Sequence, residues 1–190
     1  MATGPNTALL GLAATAWYLL TYTPLKQRSS LAVIAGTPCG ALPPLIGSLA
    51  AGGDPLDPRP LALVLLMVLW QVPHYWLLAL PDREELKRVG FKVLPQKLSG
   101  HQLLSISHFW ILGMVTATLL LLPMQLVQLP ILQGLIAGLA ISFAIWTTGV
   151  QKKTLFIEKT APKLRIGLHI YLGLILGCIL LNGVLLRLAL

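Results

Sequence analysis

Six runs of about twenty mostly apolar residues decide what this chain can fold into. They are Pro5–Thr21, Ala32–Ala51, Leu61–Leu80, Gln102–Leu122, Ile131–Val150 and Ile166–Leu186. Each is too long for a strand and lacks the period-2 alternation of a membrane barrel. Backbone N–H and C=O groups in hydrocarbon must be satisfied within the segment, which leaves an all-α, polytopic membrane helical bundle. Breakers are expected between the runs at Thr23-Pro24, Asp54-Pro55, Asp57-Pro58, Leu129-Pro130 and Ala161-Pro162. No internal repeat is visible, so residues 1–190 read as one membrane domain. Composition agrees: only 11% of the residues are charged, against about 25% in soluble domains. Cys39 and Cys178 both lie inside apolar runs, which excludes a secreted disulfide scaffold.

The net charge of +8 could suggest a nucleic-acid partner, but the placement of the charges says otherwise. Lys26 and Arg28 lie between the first and second runs. Arg83, Lys87, Arg88, Lys92 and Lys97 lie between the third and fourth, and Lys152, Lys153, Lys159, Lys163 and Arg165 between the fifth and sixth. Twelve of the fourteen basic residues therefore fall on one side, with Arg59 and Arg187 on the other. The positive-inside rule makes the three basic connections cytoplasmic and puts both termini outside, with a bacterial inner membrane as the expected location and no nucleic acid involved. The start carries no positive n-region, so it does not read as a cleavable signal. An outward start is the pattern expected when an odd number of helices precedes Met1.

Polar groups inside a span are costly and mark candidate functional positions. In the third run, Trp70-Gln71-Val72-Pro73-His74-Tyr75-Trp76 places an amide and an imidazole in an apolar helix. Pro73 also frees the carbonyl of Leu69, so a kink is expected there. His74 reads equally as bonded to a neighbouring helix or as part of a pocket wall or a ligand to a cofactor. The second run carries three glycines and three prolines between Gly36 and Gly47. Gly36 and Gly40 form a small-xxx-small face suited to a tight crossing or to a cavity wall. The connection from Asp82 to Pro95 holds Asp82, Glu84 and Glu85. If it is helical, Asp82 and Glu85 share a face and could hold Mg²⁺ with a substrate phosphate. Glu84 and Glu85 could instead pair with Arg88 on a solvated helix. Lys26 and Arg28 lie on the same side and could meet a phosphate. His101 and His108 read as interfacial, and His169 could face the bundle. The five tryptophans fit lipid-facing or interfacial positions.

Four segments occur here in an order that resembles the haem O synthases, a branch of the intramembrane UbiA prenyltransferase superfamily. They are Tyr22-Thr23-Pro24-Leu25-Lys26-Gln27-Arg28, Gly40-Ala41-Leu42-Pro43-Pro44-Leu45-Ile46-Gly47, Trp70 to Trp76, and the acidic segment ending Gly90…Leu94-Pro95. The resemblance implies that the six runs correspond to helices four to nine of a nine-helix fold. It also implies transfer of a farnesyl group from farnesyl diphosphate to a vinyl group of haem B, with Mg²⁺ as cofactor. By this resemblance Asp82, Glu84 and Glu85 are the metal side, although an aromatic of the family pattern is replaced by Leu86. Lys26, Arg28 and Arg88 are diphosphate partners. Tyr22, Gly40, Gln71 and His74 line the substrate cavity, and no residue is assigned to proton transfer. The family's first acidic motif has no counterpart, so a separate N-terminal chain carrying it is an expected partner, beside membrane lipid. The alternative is a non-catalytic, degenerate homologue that binds haem or lipid as a scaffold.

Overall fold

The computed structural model describes residues 4–152 and 157–189. The connection carrying Lys153 lies outside them, as do the side chains of Lys152 and Lys159. Among the described residues there is no strand, and six helices are long and apolar enough to cross a membrane. The chain is an integral membrane protein built as a polytopic helical bundle.

The first span is α1 (Pro5–Trp17), a π-helical turn (Tyr18–Tyr22) and α2 (Thr23–Arg28), joined without interruption. Thr23-Pro24, expected to break the chain, lies inside this span instead. Proline has no N–H to donate, and here it falls in the first turn of α2, directly after the widened turn. The indole N–H of Trp17 donates to the Ala35 carbonyl at 2.8 Å and ties this span to the next.

The second span divides at Leu42 into α3 (Ala32–Ala41) and α4 (Pro43–Ala50). The third, α5 (Pro58–Ala79), runs unbroken through Pro73. It starts at an Asp57 N-cap, whose carboxylate accepts from the Arg59 backbone N–H at 2.9 Å and pairs with its guanidinium at 2.7 Å. These bonds from Arg59 hold the Asp57 carboxyl below the usual carboxylate range.

The last three spans are α7 (Gly100–Leu120), α8 (Pro130–Lys152) and α9 (Ile157–Leu188). Ala161-Pro162, expected as a breaker, lies inside α9 instead, and the helix runs on through it. Helix α5 is central and packs on α3, α4, α7 and α9. Leu66, Val72 and Leu77 of α5 meet Leu103, Ile111 and Met114 of α7 and Leu168 and Ile175 of α9 in one core. Trp76 belongs to that core at 1% exposure, which corrects its reading as a lipid-facing or interfacial residue. It packs edge-on against Trp110 at 6.0 Å.

One polar anchor stands out at the end away from the basic connections. The buried Asn182 carbonyl oxygen accepts from the backbone N–H groups of Gln128 and Leu129, at 3.0 and 3.1 Å, just before α8 begins. Asn182→Leu leaves both donors orphaned. It is expected to destabilise the protein by about 2 kcal/mol, seen as a lower unfolding midpoint in detergent. An unchanged midpoint would mean that water replaces the amide.

Candidate functional site

Turning 100° per residue, α5 brings Gln71, Tyr75 and Leu78 toward one side, and the turn after it carries Asp82 to the same groove. That side is hollow. A cavity of about 310 Å³ lies between α5, α3 and the π turn, lined by Tyr18, Tyr22, Gly36, Cys39, Gly40 and Gln71 among others. A second hollow of about 460 Å³ continues toward the basic end, lined by Lys26, Leu78, Asp82, Leu86, Phe91 and Lys92 among others. Tyr22, Val33 and Tyr75 line both, so the two are sections of one groove. It runs from an uncharged interior to a mouth carrying one carboxylate and two ammonium groups.

The glycines of the second span explain how the interior section closes. A Cβ on Gly36 would lie 2.7 Å from the Tyr22 ring, and one on Gly40 2.5 Å from the Gln71 side-chain oxygen. A side chain at either place would force the facing Tyr22 or Gln71 to shift. Gln71 is buried, and its amide N–H donates to the carbonyls of Met67 at 3.2 Å and Thr37 at 3.4 Å. The irregular helix is thus both a tight crossing and a cavity wall.

The mouth is assembled by a short helix and its cap. Helix α6 (Arg83–Arg88) follows Asp82, whose carboxylate makes no capping bond and lines the groove. The helix ends in a Schellman arrangement: Phe91 N–H donates to the Leu86 carbonyl at 2.8 Å and Gly90 N–H to that of Lys87 at 3.1 Å. Gly90 has φ +85°, which a side chain would disfavour. This turn sends Phe91 and Lys92 back to the mouth. Lys92 N–H donates to the Lys26 carbonyl at 3.3 Å, and the Lys26 ammonium lies 5.6 Å over the Phe91 ring. Gln96 fastens the loop, donating to the carbonyls of Arg83 and Phe91, both at 3.0 Å.

The residues singled out by sequence separate into groups. Tyr22, Gly40, Gln71, Lys26 and Asp82 line the groove. Arg28, Arg88, Glu84 and Glu85 are not among its lining residues. Glu84 is turned outward, with Arg83 4.0 Å away, so the i,i+4 partner considered for it, Arg88, is not the one it meets. Among the described residues no group of three His, Cys, Asp or Glu side chains could hold a metal by itself. A single carboxylate at the mouth still suits Mg²⁺, which is usually held by one or two carboxylates plus substrate phosphates and water. His74 is turned toward α9. It stacks on Trp70 at 4.8 Å and meets the ring of His169 edge-on at 4.7 Å. Lys92, Tyr75 and Phe91 were missed as site residues. Tyr75 is signalled by its spacing from Gln71 on α5, whereas Lys92 and Phe91 depend on the turn at Gly90.

Comparison with known proteins agrees with the residues. A model of the UbiA prenyltransferase family matches residues 1–155. Curated relatives include the protoheme IX farnesyltransferase of Geobacter sulfurreducens, 46% identical over 63% of this chain and 44% of the relative. That of Nitratidesulfovibrio vulgaris strain DP4 is 32% identical over 76% of this chain and 51% of the relative. That of Anaeromyxobacter dehalogenans is 39% identical over 73% and 44%. The chain spans about half the length of these relatives, or less. No solved structure matches.

Proposed function

The chain belongs to the UbiA prenyltransferase family, and from that premise we propose that it forms part of a protoheme IX farnesyltransferase. The reaction is transfer of a farnesyl group from its diphosphate to a vinyl group of haem B, giving haem O. The observation that carries this reading is the groove. Its interior is lined by tyrosines, glycines and Gln71, and its mouth by Asp82, Lys26 and Lys92. That pattern suits a long hydrocarbon with an anionic head.

In the proposed step the C1–O bond of farnesyl diphosphate breaks and its electron pair leaves with the diphosphate. The allylic cation at C1 bonds to the terminal vinyl carbon, and water captures the cation left on the porphyrin side, releasing a proton. Lys26 and Lys92 receive negative charge as it develops on the departing group. A magnesium ion held by Asp82 would supply further neutralisation of that charge. Tyr22, Tyr75 and Gln71 orient the tail and keep water from the cation until the new bond has formed. Arg28, Arg88 and Glu85 are proposed to act at the rim, where the phosphates meet solvent, and Glu84, turned outward beside Arg83, is not given a part in the reaction.

One acidic segment at the mouth is half of what the family resemblance implies. We assign the other half to a segment outside these 190 residues, in the same polypeptide or a separate one. The basic connections are assigned to the cytoplasmic face of a bacterial inner membrane. Membranes containing this chain and the unmatched helices of the Geobacter sulfurreducens relative, supplied with haem B, farnesyl diphosphate and Mg²⁺, are expected to form haem O, detected by mass. Chelation by EDTA should stop it. Haem O formation by the chain alone would overturn the assignment of a second segment. No product from the combined membranes would overturn the reaction.

A further inference from the structure

On the other side of α5, where it meets α9, His74 of α5 and His169 of α9 form a second polar group, which the farnesyl-transfer reading does not use. His169 Nδ1 lies 2.7 Å from the Arg165 carbonyl oxygen. A carbonyl oxygen only accepts, so the ring proton sits on Nδ1 and Nε2 keeps its lone pair. A backbone carbonyl fixing one ring nitrogen while the other stays free is the usual arrangement of a metal-ligating histidine. His169 is exposed, and one turn further along α9 Gly173 has nothing within 4 Å of where a Cβ would stand. A flat molecule therefore has room beside the imidazole. Behind it, His74 Nδ1 and the Trp70 indole N–H are buried without partners. Trp70 and His74 lie edge-on to the His169 ring at 5.4 and 4.7 Å. Orphaned polar atoms at membrane depth are costly unless a ligand meets them.

The chemistry of the pair selects the metal's form. A bare zinc-type ion, the kind that imidazole binds, needs three or four protein ligands, and no group of three is present among the described residues. A tetrapyrrole brings four nitrogens of its own and needs one axial donor. Two rings already in edge contact leave no slot for a porphyrin plane between them, so only one of them can be that donor. His169 has the exposed ring and the free Nε2.

We propose that His169 is an axial ligand to the iron of a haem lying against α5 and α9, with Trp70 and His74 as its polar wall. The site adjoins the groove, because the His74 ring is 5.0 Å from that of Tyr75, which lines both of its sections. A haem held here by its iron presents an edge toward Tyr75. The identity of the tetrapyrrole rests on the farnesyl-transfer reading, whereas the ligation itself does not.

The test is a titration of the detergent-purified chain with ferrous haem B, followed by the Soret band and by the iron–imidazole stretch in resonance Raman. The wild-type chain is expected to show that stretch. His169→Ala should lose it and bind haem about tenfold more weakly, and added imidazole should restore the ligated spectrum. Metal-free protoporphyrin IX should bind equally to both, which also checks that the variant is folded. Zn²⁺ alone should show no saturable binding. The proposal is overturned by an unchanged haem spectrum in His169→Ala, by loss of ligation in His74→Ala but not in His169→Ala, or by no haem ligation in the wild type. It is equally overturned by saturable Zn²⁺ binding that depends on His169. None of these outcomes touches the farnesyl-transfer reading, which is judged by haem O formation.

Discussion

Asp82→Asn, made in an assembly competent for transfer, is expected to cut haem O formation by about 10²–10³-fold. The carboxylate lines the mouth of the groove and is not engaged in capping α6. It is therefore free to hold a cation against the diphosphate, and an amide of the same shape removes that charge without altering packing. Glu84→Gln should change the rate by no more than about twofold, as for an ordinary surface substitution. Glu84 is turned outward beside Arg83. The pair of variants separates a metal-holding role at the mouth from a general effect of negative charge on α6. Equal losses in both would show that the short helix turns over when substrate binds. No loss in Asp82→Asn would remove the mouth from the chemistry.

Gly40→Leu is expected to destabilise the protein by about 3 kcal/mol, the upper end for an overpacked site, and to reduce transfer more than tenfold. A Cβ at this position would lie 2.5 Å from the Gln71 side-chain oxygen. The added side chain must push Gln71 off the carbonyls of Met67 and Thr37, leaving buried polar atoms unsatisfied. The rest of the leucine fills the interior section of the groove. A second change, Gln71→Ala, removes the collision and should recover most of the unfolding midpoint, while transfer stays low because the hollow remains filled. Recovery of both together would mean that the glycine serves the helix crossing alone.

The six spans were legible because continuous hydropathy of that length has few other uses. The ends of the spans were less so. Pro24 and Pro162 look like stops in sequence, yet Pro24 falls in the first turn of α2 directly behind a π turn, and α9 runs on through Pro162. On α5, the spacing of Gln71 and Tyr75 already describes one face. His74 is only one residue away, but a single step is about 100°, enough to carry it from the groove to α9. Composition near a motif does not give its direction. Lys92 could not be read as part of the mouth because what brings it there is a reversal of the chain at a glycine with positive φ. Trp76 reads like the other tryptophans until α7 and α9 are placed around it.

The widened turn at Tyr18–Tyr22 bears on how this first helix can vary. Such a turn accommodates one more residue than its neighbours, so the segments before and after it are out of phase. Upstream, the phase is set by Trp17 and its bond to Ala35; downstream, it sets which way Lys26 points. Loss of a single residue anywhere in that stretch would leave length and hydrophobicity almost untouched, yet would swing the lysine about a quarter of a circle away from the anion it is meant to greet. Insertions and deletions there are read as rotations, and the helix tolerates changes of letter far better than changes of number.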